Sequence, residues 1–417
     1  MMMMDIMTIP SENLYSRIIK DLHYRREEVL SGNTNCLAVP FARFKKEFPG
    51  FERGRYYLIT GATKSSKTQI TNYLVLYNAV LASYYNPDLI HPKIFYYNYE
   101  ETAENITLRF MAFMLFLTEG IRISPTDLRS TTRENPVSED ILNLLEKEEF
   151  KNIMAHYEKV VEFRDSKNPT GVYKDIKAYA ENNGITHKRK YKYKDELGQE
   201  KEAEAFDYYT PNDPKEYVFI IIDHVSLLTE ERGMDLRSSI NKLSEYLILF
   251  RNRYNYIPVV VQQQSVESSN LEAVKANRIR PSITSLADSK YTAKDCDVMI
   301  GVTNPWSHEI NNYLGYEVHR LKQYFRVLEV VINRAGAGNV ICPLYFDGAI
   351  NFFEELPLPT DGNTLKNFYS RIDSINSSRI KKVLMAFGKS NKSNIFVTLK
   401  KIKNGKHLFN SWKKWCR

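Results

Sequence analysis

The 417-residue sequence is poor in cysteine and tryptophan, with four and three copies, and shows no internal repeat. It also lacks any apolar run near the roughly 18–20 residues that cross a membrane. Cys36, Cys296, Cys342 and Cys416 lie far apart with no Cys-x-x-Cys pair. That spacing excludes a zinc ribbon and argues against a disulfide framework, leaving free thiols in a reducing compartment. The opening Met1-Met2-Met3-Met4-Asp5-Ile6-Met7 carries no basic residue and is too short for a secretory signal. A soluble chain of the cytoplasm, without a membrane partner, is the expectation.

Acidic charge is missing from one region only. Between Arg379 and Arg417 there are 12 Lys and Arg and no acid, so the rest of the chain carries 46 basic against 50 acidic groups. The net +8 is therefore a property of the tail. Lys400, Lys401, Lys403, Lys406, Lys413 and Lys414 alternate there with Phe409, Trp412 and Trp415, a composition suited to single-stranded nucleic acid or to a disordered terminus.

Apolar residues make up 43% of the chain, enough for a sizeable core. Leu14, Ile18, Leu22 and Val29 mark one amphipathic helix over residues 11–30. Tyr56–Thr60 reads as a buried strand, and Ile70, Tyr73, Leu74, Tyr77, Val80 and Leu81 fall on one face of a helix. Further strands are expected at Ile94–Tyr99, Val160–Phe163, Val218–Asp223, Val259–Gln263, Val298–Val302, Val327–Asn333 and Val340–Phe346. Helical patterns separate several of them, as with Leu236, Ile240, Leu243, Leu247 and Phe250. This alternation predicts an α/β fold, a mostly parallel sheet flanked by helices. The last two strands, joined by Ala335-Gly336-Ala337-Gly338, read as a C-terminal β-hairpin. Residues 187–217 form a charged insertion, either a solvated hairpin or a surface for nucleic acid or another partner.

Gly61-Ala62-Thr63-Lys64-Ser65-Ser66-Lys67-Thr68 fits Gly-x-x-x-x-Gly-Lys-Ser/Thr except at Ser66. Between a strand and a helix, such a loop wraps nucleotide phosphates in backbone N–H groups, with Lys67 on the β/γ oxygens and Thr68 on Mg²⁺. Serine replaces a residue that tolerates positive φ, so it fits this loop with a negative φ. Asp223, ending an apolar strand, is the acid expected beside the metal. At the end of Tyr97-Asn98-Tyr99-Glu100, spacing leaves Glu100 and Glu101 as equal candidates to activate water. Gln262-Gln263-Gln264 offers amides able to sense a γ-phosphate.

In this order the motifs resemble the motor domain of DnaB-type replicative helicases, over residues 30–355. Asn98-Tyr99-Glu100-Glu101 is similar to that family's Ser-Leu-Glu-Met, which implies Glu100 as the catalytic carboxylate. Pro258–Gln264 is similar to its Pro-Val-x-x-x-Ser-Gln, which implies Gln264 as the sensor. Ser285–Asp297 resembles a segment that grips single-stranded DNA, which implies Asp288, Ser289 and Lys290 as DNA contacts, with Ala287 in place of the usual arginine. Val331-Ile332-Asn333-Arg334-Ala335-Gly336 resembles the family's Lys-x-Arg-x-Gly hairpin, with Arg334 as the arginine finger and Ile332 in place of the lysine.

The resemblance further implies a RecA-like ATPase using ATP and Mg²⁺, a hexameric homo-oligomer, and primase and a helicase loader as partners. It divides the chain into a linker helix and connector at 1–50, a motor domain at 51–358 and a basic extension at 359–417. With the family's usual N-terminal domain missing, a phage or mobile element is the implied source, and the host cytoplasm the location. Two rival readings remain, a RecA- or RadA-like recombination ATPase and a nucleotide-gated DNA-binding or loading protein with little hydrolysis.

Overall fold

Val218–Ile222 has no polar side to offer water, so it forms a strand covered on both faces. The computed structural model describes residues 13–131, 133, 136–194, 199–265 and 279–374. Its strands are β1 (Leu37–Ala38), β2 (Gly50–Phe51), β3 (Tyr57–Gly61), β4 (His91–Asn98), β5 (Val161–Arg164), β6 (Gly184–Lys194), β7 (Glu200–Pro211) and β8 (Glu216–Asp223). They continue with β9 (Ile257–Gln263), β10 (Val298–Thr303), β11 (Asn312–Tyr313), β12 (Tyr316–Glu317), β13 (Phe325–Asn333), β14 (Val340–Asp347) and β15 (Phe352–Glu355).

Nine of these make one sheet in the order β15-β14-β13-β10-β3-β9-β8-β4-β5. The six strands from β10 to β5 run parallel, whereas β13, β14 and β15 are antiparallel. All eight expected strands are present, and β13 and β14 form the expected hairpin. Because alternate strand residues face opposite ways, Ile59 joins a core with Ile70, Tyr73 and Leu74, while Leu58 joins one with Leu243, Leu247 and Phe250. The chain moves from β3 to β4 and β5 on one side and later to β10 on the other. That reversal opens a crevice at the carboxyl ends of the strands.

After β3, one helical run extends through Lys67–Thr71, a π-helical stretch at Asn72–Tyr77, and Asn78–Tyr85. Its predicted apolar face is buried, but so are Val75, Leu76 and Ala79. On the predicted face, Tyr77 stacks 5.0 Å from Phe113 of the helix Ala103–Glu119, and Tyr73 stacks 5.9 Å from Phe41.

The core reaches past the expected limits at both ends. Leu37, Val39, Phe41, Phe44 and Phe48 of the connector lie in the main core. Residues 362–374 form a helix whose Leu365, Phe368, Tyr369 and Ile372 enter the same core. The basic run from Arg379 lies outside the described residues, as does Cys416.

The charged insertion is an antiparallel ribbon of β6 and β7. Lys190, Lys192 and Lys194 face Glu204, Glu202 and Glu200 across it, so its basic run is met by acid on the partner strand. The first helix, Leu14–Leu30, buries none of its residues and leaves Leu14, Ile18, Leu22 and Val29 exposed. Arg17 crosses from it to the ribbon, 4.1 Å over the Tyr208 ring. Among the described residues, no helix is long and apolar enough to cross a membrane.

Candidate active site

Gly61 ends β3 where no side chain fits, since a Cβ there would stand 2.4 Å from the Val302 carbonyl oxygen of β10. The chain then turns through Ala62, Thr63, Lys64 and Ser65 to Ser66, with Lys64 and Ser66 both at positive φ. The expectation of a negative φ at Ser66 is wrong, for the residue sits in the left-handed region at φ 78°, ψ 34°. Left-handed backbone costs a side-chain-bearing residue about 1–2 kcal/mol, so neighbouring contacts must hold this turn. The Ser66 carbonyl accepts from Ile70 N at 2.9 Å, which starts the helix. The buried Ser65 hydroxyl has no partner among the described residues.

Lys67 and Thr68 open that helix. The Lys67 ammonium folds back to donate to the Ala62 carbonyl at 3.1 Å. Burial lowers its pKa, against the opposing pull of Glu100 and Asp223. Thr68 Oγ1 donates to Asp223 Oδ1 at 3.0 Å, so the two residues expected at the metal are in contact. Asp223 is buried at the end of β8, where Tyr96 of β4 also donates to its Oδ2 at 2.8 Å. Burial raises its pKa to about 6 despite the hydrogen bonds from Tyr96 and Thr68, which lower it. Among the described residues no three His, Cys, Asp or Glu side chains could enclose a metal. A hydroxyl and one carboxylate fit Mg²⁺, a hard cation that keeps waters and takes phosphate oxygens for its other positions.

The neighbouring strand end separates the two glutamates. Glu101 is held by Arg109 through bonds of 2.7 and 3.2 Å. Glu100 has a half-exposed carboxylate, 3.6 Å from His224 Nε2, just beyond Asp223. Burial is the main influence on His224 and lowers its pKa.

The amides after β9 also part. Gln264 is buried, accepting from Thr60 Oγ1 at 2.8 Å and donating to the backbone oxygens of Ser282 and Ser285 in the amide orientation that satisfies both ends. Gln263 instead donates to Thr63 Oγ1 of the loop at 2.6 Å. It is thus the Gln263 side chain that reaches the loop, whereas Gln264 meets it through its backbone N–H, which donates to the Gly61 carbonyl at 3.0 Å.

Arg334 lies beyond Asn333 in the β13–β14 turn, where it donates to the Lys294 carbonyl oxygen. Asn333 pairs with Val298, which pairs with Tyr57 at the start of β3, so Arg334 is at the opposite edge of the sheet from Gly61. Four residues of strand, roughly 13 Å, separate the two edges.

Of the three residues expected on DNA, Asp288 and Lys290 are exposed and Ser289 is not. Ser289 is 2% exposed, donates to Asn241 Oδ1 at 2.6 Å and accepts from Tyr291 N at 3.1 Å. A hydroxyl so engaged holds the turn and does not meet a ligand at the surface.

Sequence reasoning missed Tyr96, which seats Asp223, and it missed Arg326. Beginning the strand at Val327 left out Phe325-Arg326, where a cation enters an apolar run. Its guanidinium Nε donates to Ser66 Oγ at 3.0 Å.

No protein-family model matches the sequence, and no curated protein matches it. Solved structures do. The ATPase domain of G40P superposes with a TM-score of 0.55 at 14% identity, over 82% of this chain and 99% of that one. A DnaB-like replicative helicase, solved in a study of its interactions with primase, gives 0.53 at 14% identity, over 81% of this chain and 66% of that one. At such identity the likeness is one of fold, and the chain has the fold of RecA-like ATPase domains.

Proposed function

We propose that this chain is the ATP-driven motor of a replicative DNA helicase, working as a head-to-tail ring, a hexamer, with ATP between adjacent copies and single-stranded DNA in the channel. The observation that carries the reading is the position of Arg334. It is exposed at the edge of the sheet away from its own phosphate loop, so in a head-to-tail arrangement it meets the loop of the next copy. The folds shared with the G40P ATPase domain and a DnaB-like replicative helicase support the helicase reading, and the uncovered apolar face of the first helix suits docking on a neighbour. Primase is a proposed partner because the second of those structures concerns a helicase that interacts with it. A loader is the other.

In this reading the loop Gly61–Thr68 holds the triphosphate and Lys67 neutralises its β/γ oxygens. Thr68 and Asp223 would hold Mg²⁺, which would neutralise phosphate charge. Glu100 orients and deprotonates the attacking water, and Gln263 takes the sensing role. Arg334 of the adjacent copy stabilises charge on the γ-phosphate. The exposed turn with Asp288 and Lys290 faces the strand. Unwinding of a forked duplex tests this. Wild-type protein with ATP should separate the strands and Lys67→Ala should not. ATP turnover without unwinding would remove the helicase reading, and no turnover above that of Glu100→Gln would remove the motor.

Asp223 gives the site a pH dependence. Its pKa in the fold, about 6, lies above the 3.8 of a free carboxyl. Its contribution to stability in the free protein is therefore full at low pH and lost as pH rises through about 6. Mg²⁺ requires the carboxylate, so its binding gains over the same window. The rise in melting temperature from adding Mg²⁺ to the ADP-bound protein should be about 1–2 °C larger at about pH 8 than at about pH 5. An equal rise at both would exclude Asp223 from the metal site.

A further inference from the structure

Most arginines that this fold draws inward meet a carboxylate. Arg109 is held by Glu101 and Arg251 by Asp297 at 2.9 Å. Arg326, only 6% exposed, has no such partner among the described residues. Its Nη1 donates to the backbone oxygens of Gln323 and Phe325 at 3.0 and 2.7 Å. The Phe346 ring lies 4.8 Å from its guanidinium carbon. Burial pulls its pKa down to about 9, which still leaves it charged at neutral pH. A buried charge without a counter-ion costs several kcal/mol. Retaining it asks for an anion that arrives later.

The place where it is held identifies that anion. Arg326 stands at the carboxyl edge of the sheet, since the next residue, Val327, pairs with Thr303, just past the Val302 that pairs with Gly61. From there its Nε reaches Ser66 Oγ, the side chain at the loop's left-handed turn. One contact thus joins the strained residue of the phosphate loop to the uncompensated cation.

We infer that Arg326 is a positioning residue of the phosphate loop, gripping Ser66 so that the turn is preset for a polyphosphate whose charge serves as the missing counter-ion. The inference rests on the reading of Gly61–Thr68 as the nucleotide site. Ser66 then makes the loop depend on Arg326, where a glycine would adopt the same φ unaided.

The test is titration of the full chain with a fluorescent ADP analogue and Mg²⁺, beside thermal melting without nucleotide. Arg326→Met should weaken binding about 10–100-fold, the range for a hydrogen-bonded charge. It should melt at or above the wild-type temperature, because a buried charge has been removed. Arg326→Lys, with the charge but not the fork, should recover part of the affinity. Ser66→Ala should weaken binding from the other side of the bond, and Ser66→Gly, which adopts the same φ unaided, should weaken it less. In the Ser66→Gly background the Arg326→Met loss should shrink. Wild-type affinity in Arg326→Met, a lower melting temperature with unchanged affinity, or equal losses in both backgrounds would overturn the inference. Should Arg326→Met not fold, Ser66→Ala binding like wild type would overturn it alone. Lys67→Ala is the control for the site, and a wild type that binds no nucleotide would overturn both readings.

Discussion

Glu100→Gln should leave Mg·ATP binding near wild type and slow hydrolysis about 10²–10⁴-fold, the range for loss of a general base. The amide keeps the shape of the side chain and cannot take a proton from water. Glu101→Gln should do the reverse. Its carboxylate is occupied by Arg109 in a partly buried pair, so the change should lower the melting temperature and leave turnover within a few-fold of wild type. Phosphate release per turnover, with a binding titration on the same samples, separates the two. The assignment fails if Glu101→Gln proves the slower enzyme. Equal loss in both variants would also count against it, since only Glu100 stands half-exposed beside His224 and Asp223.

The choice between these neighbours marks how far the sequence could be read. Val218–Asp223 was legible because a central parallel strand must be apolar throughout and its acid has to project from the end. The turn Gly61–Thr68 between β3 and its helix was legible because its eight residues are consecutive. Glu100 and Glu101 are told apart by Arg109, eight residues along the chain in the next helix, and by His224 at the end of β8, and only the fold brings each partner to one of them. Gln263 and Gln264 differ by which face of β9 each side chain takes, so an offset of one residue moves the role between them. The connector residues Leu37, Val39, Phe41, Phe44 and Phe48 follow no single helix or strand period. Their burial becomes visible only once the sheet and helices they cover are in place. Ser66 shows the same limit, because its φ is set within a turn gripped from β13, some 260 positions away.

Arg334→Ala should bind nucleotide as wild type does and lose about 10³–10⁵ in turnover, the range for an arginine finger. That number alone would not show that the residue acts on another subunit, since a damaged hairpin could also slow the enzyme. Mixing decides it. Arg334→Ala and Glu100→Gln are each expected to be nearly inactive. In rings mixed at equal amounts, about a quarter of interfaces should join an intact Glu100 on one copy to an intact Arg334 on the next. ATP turnover should then reappear on mixing two dead proteins. Failure to reappear, with mixed rings verified by mass, would confine Arg334 to its own chain. The sheet register argues against that confinement, because Arg334 leaves β13 at the edge where β3 begins, and the phosphate loop leaves β3 at the other.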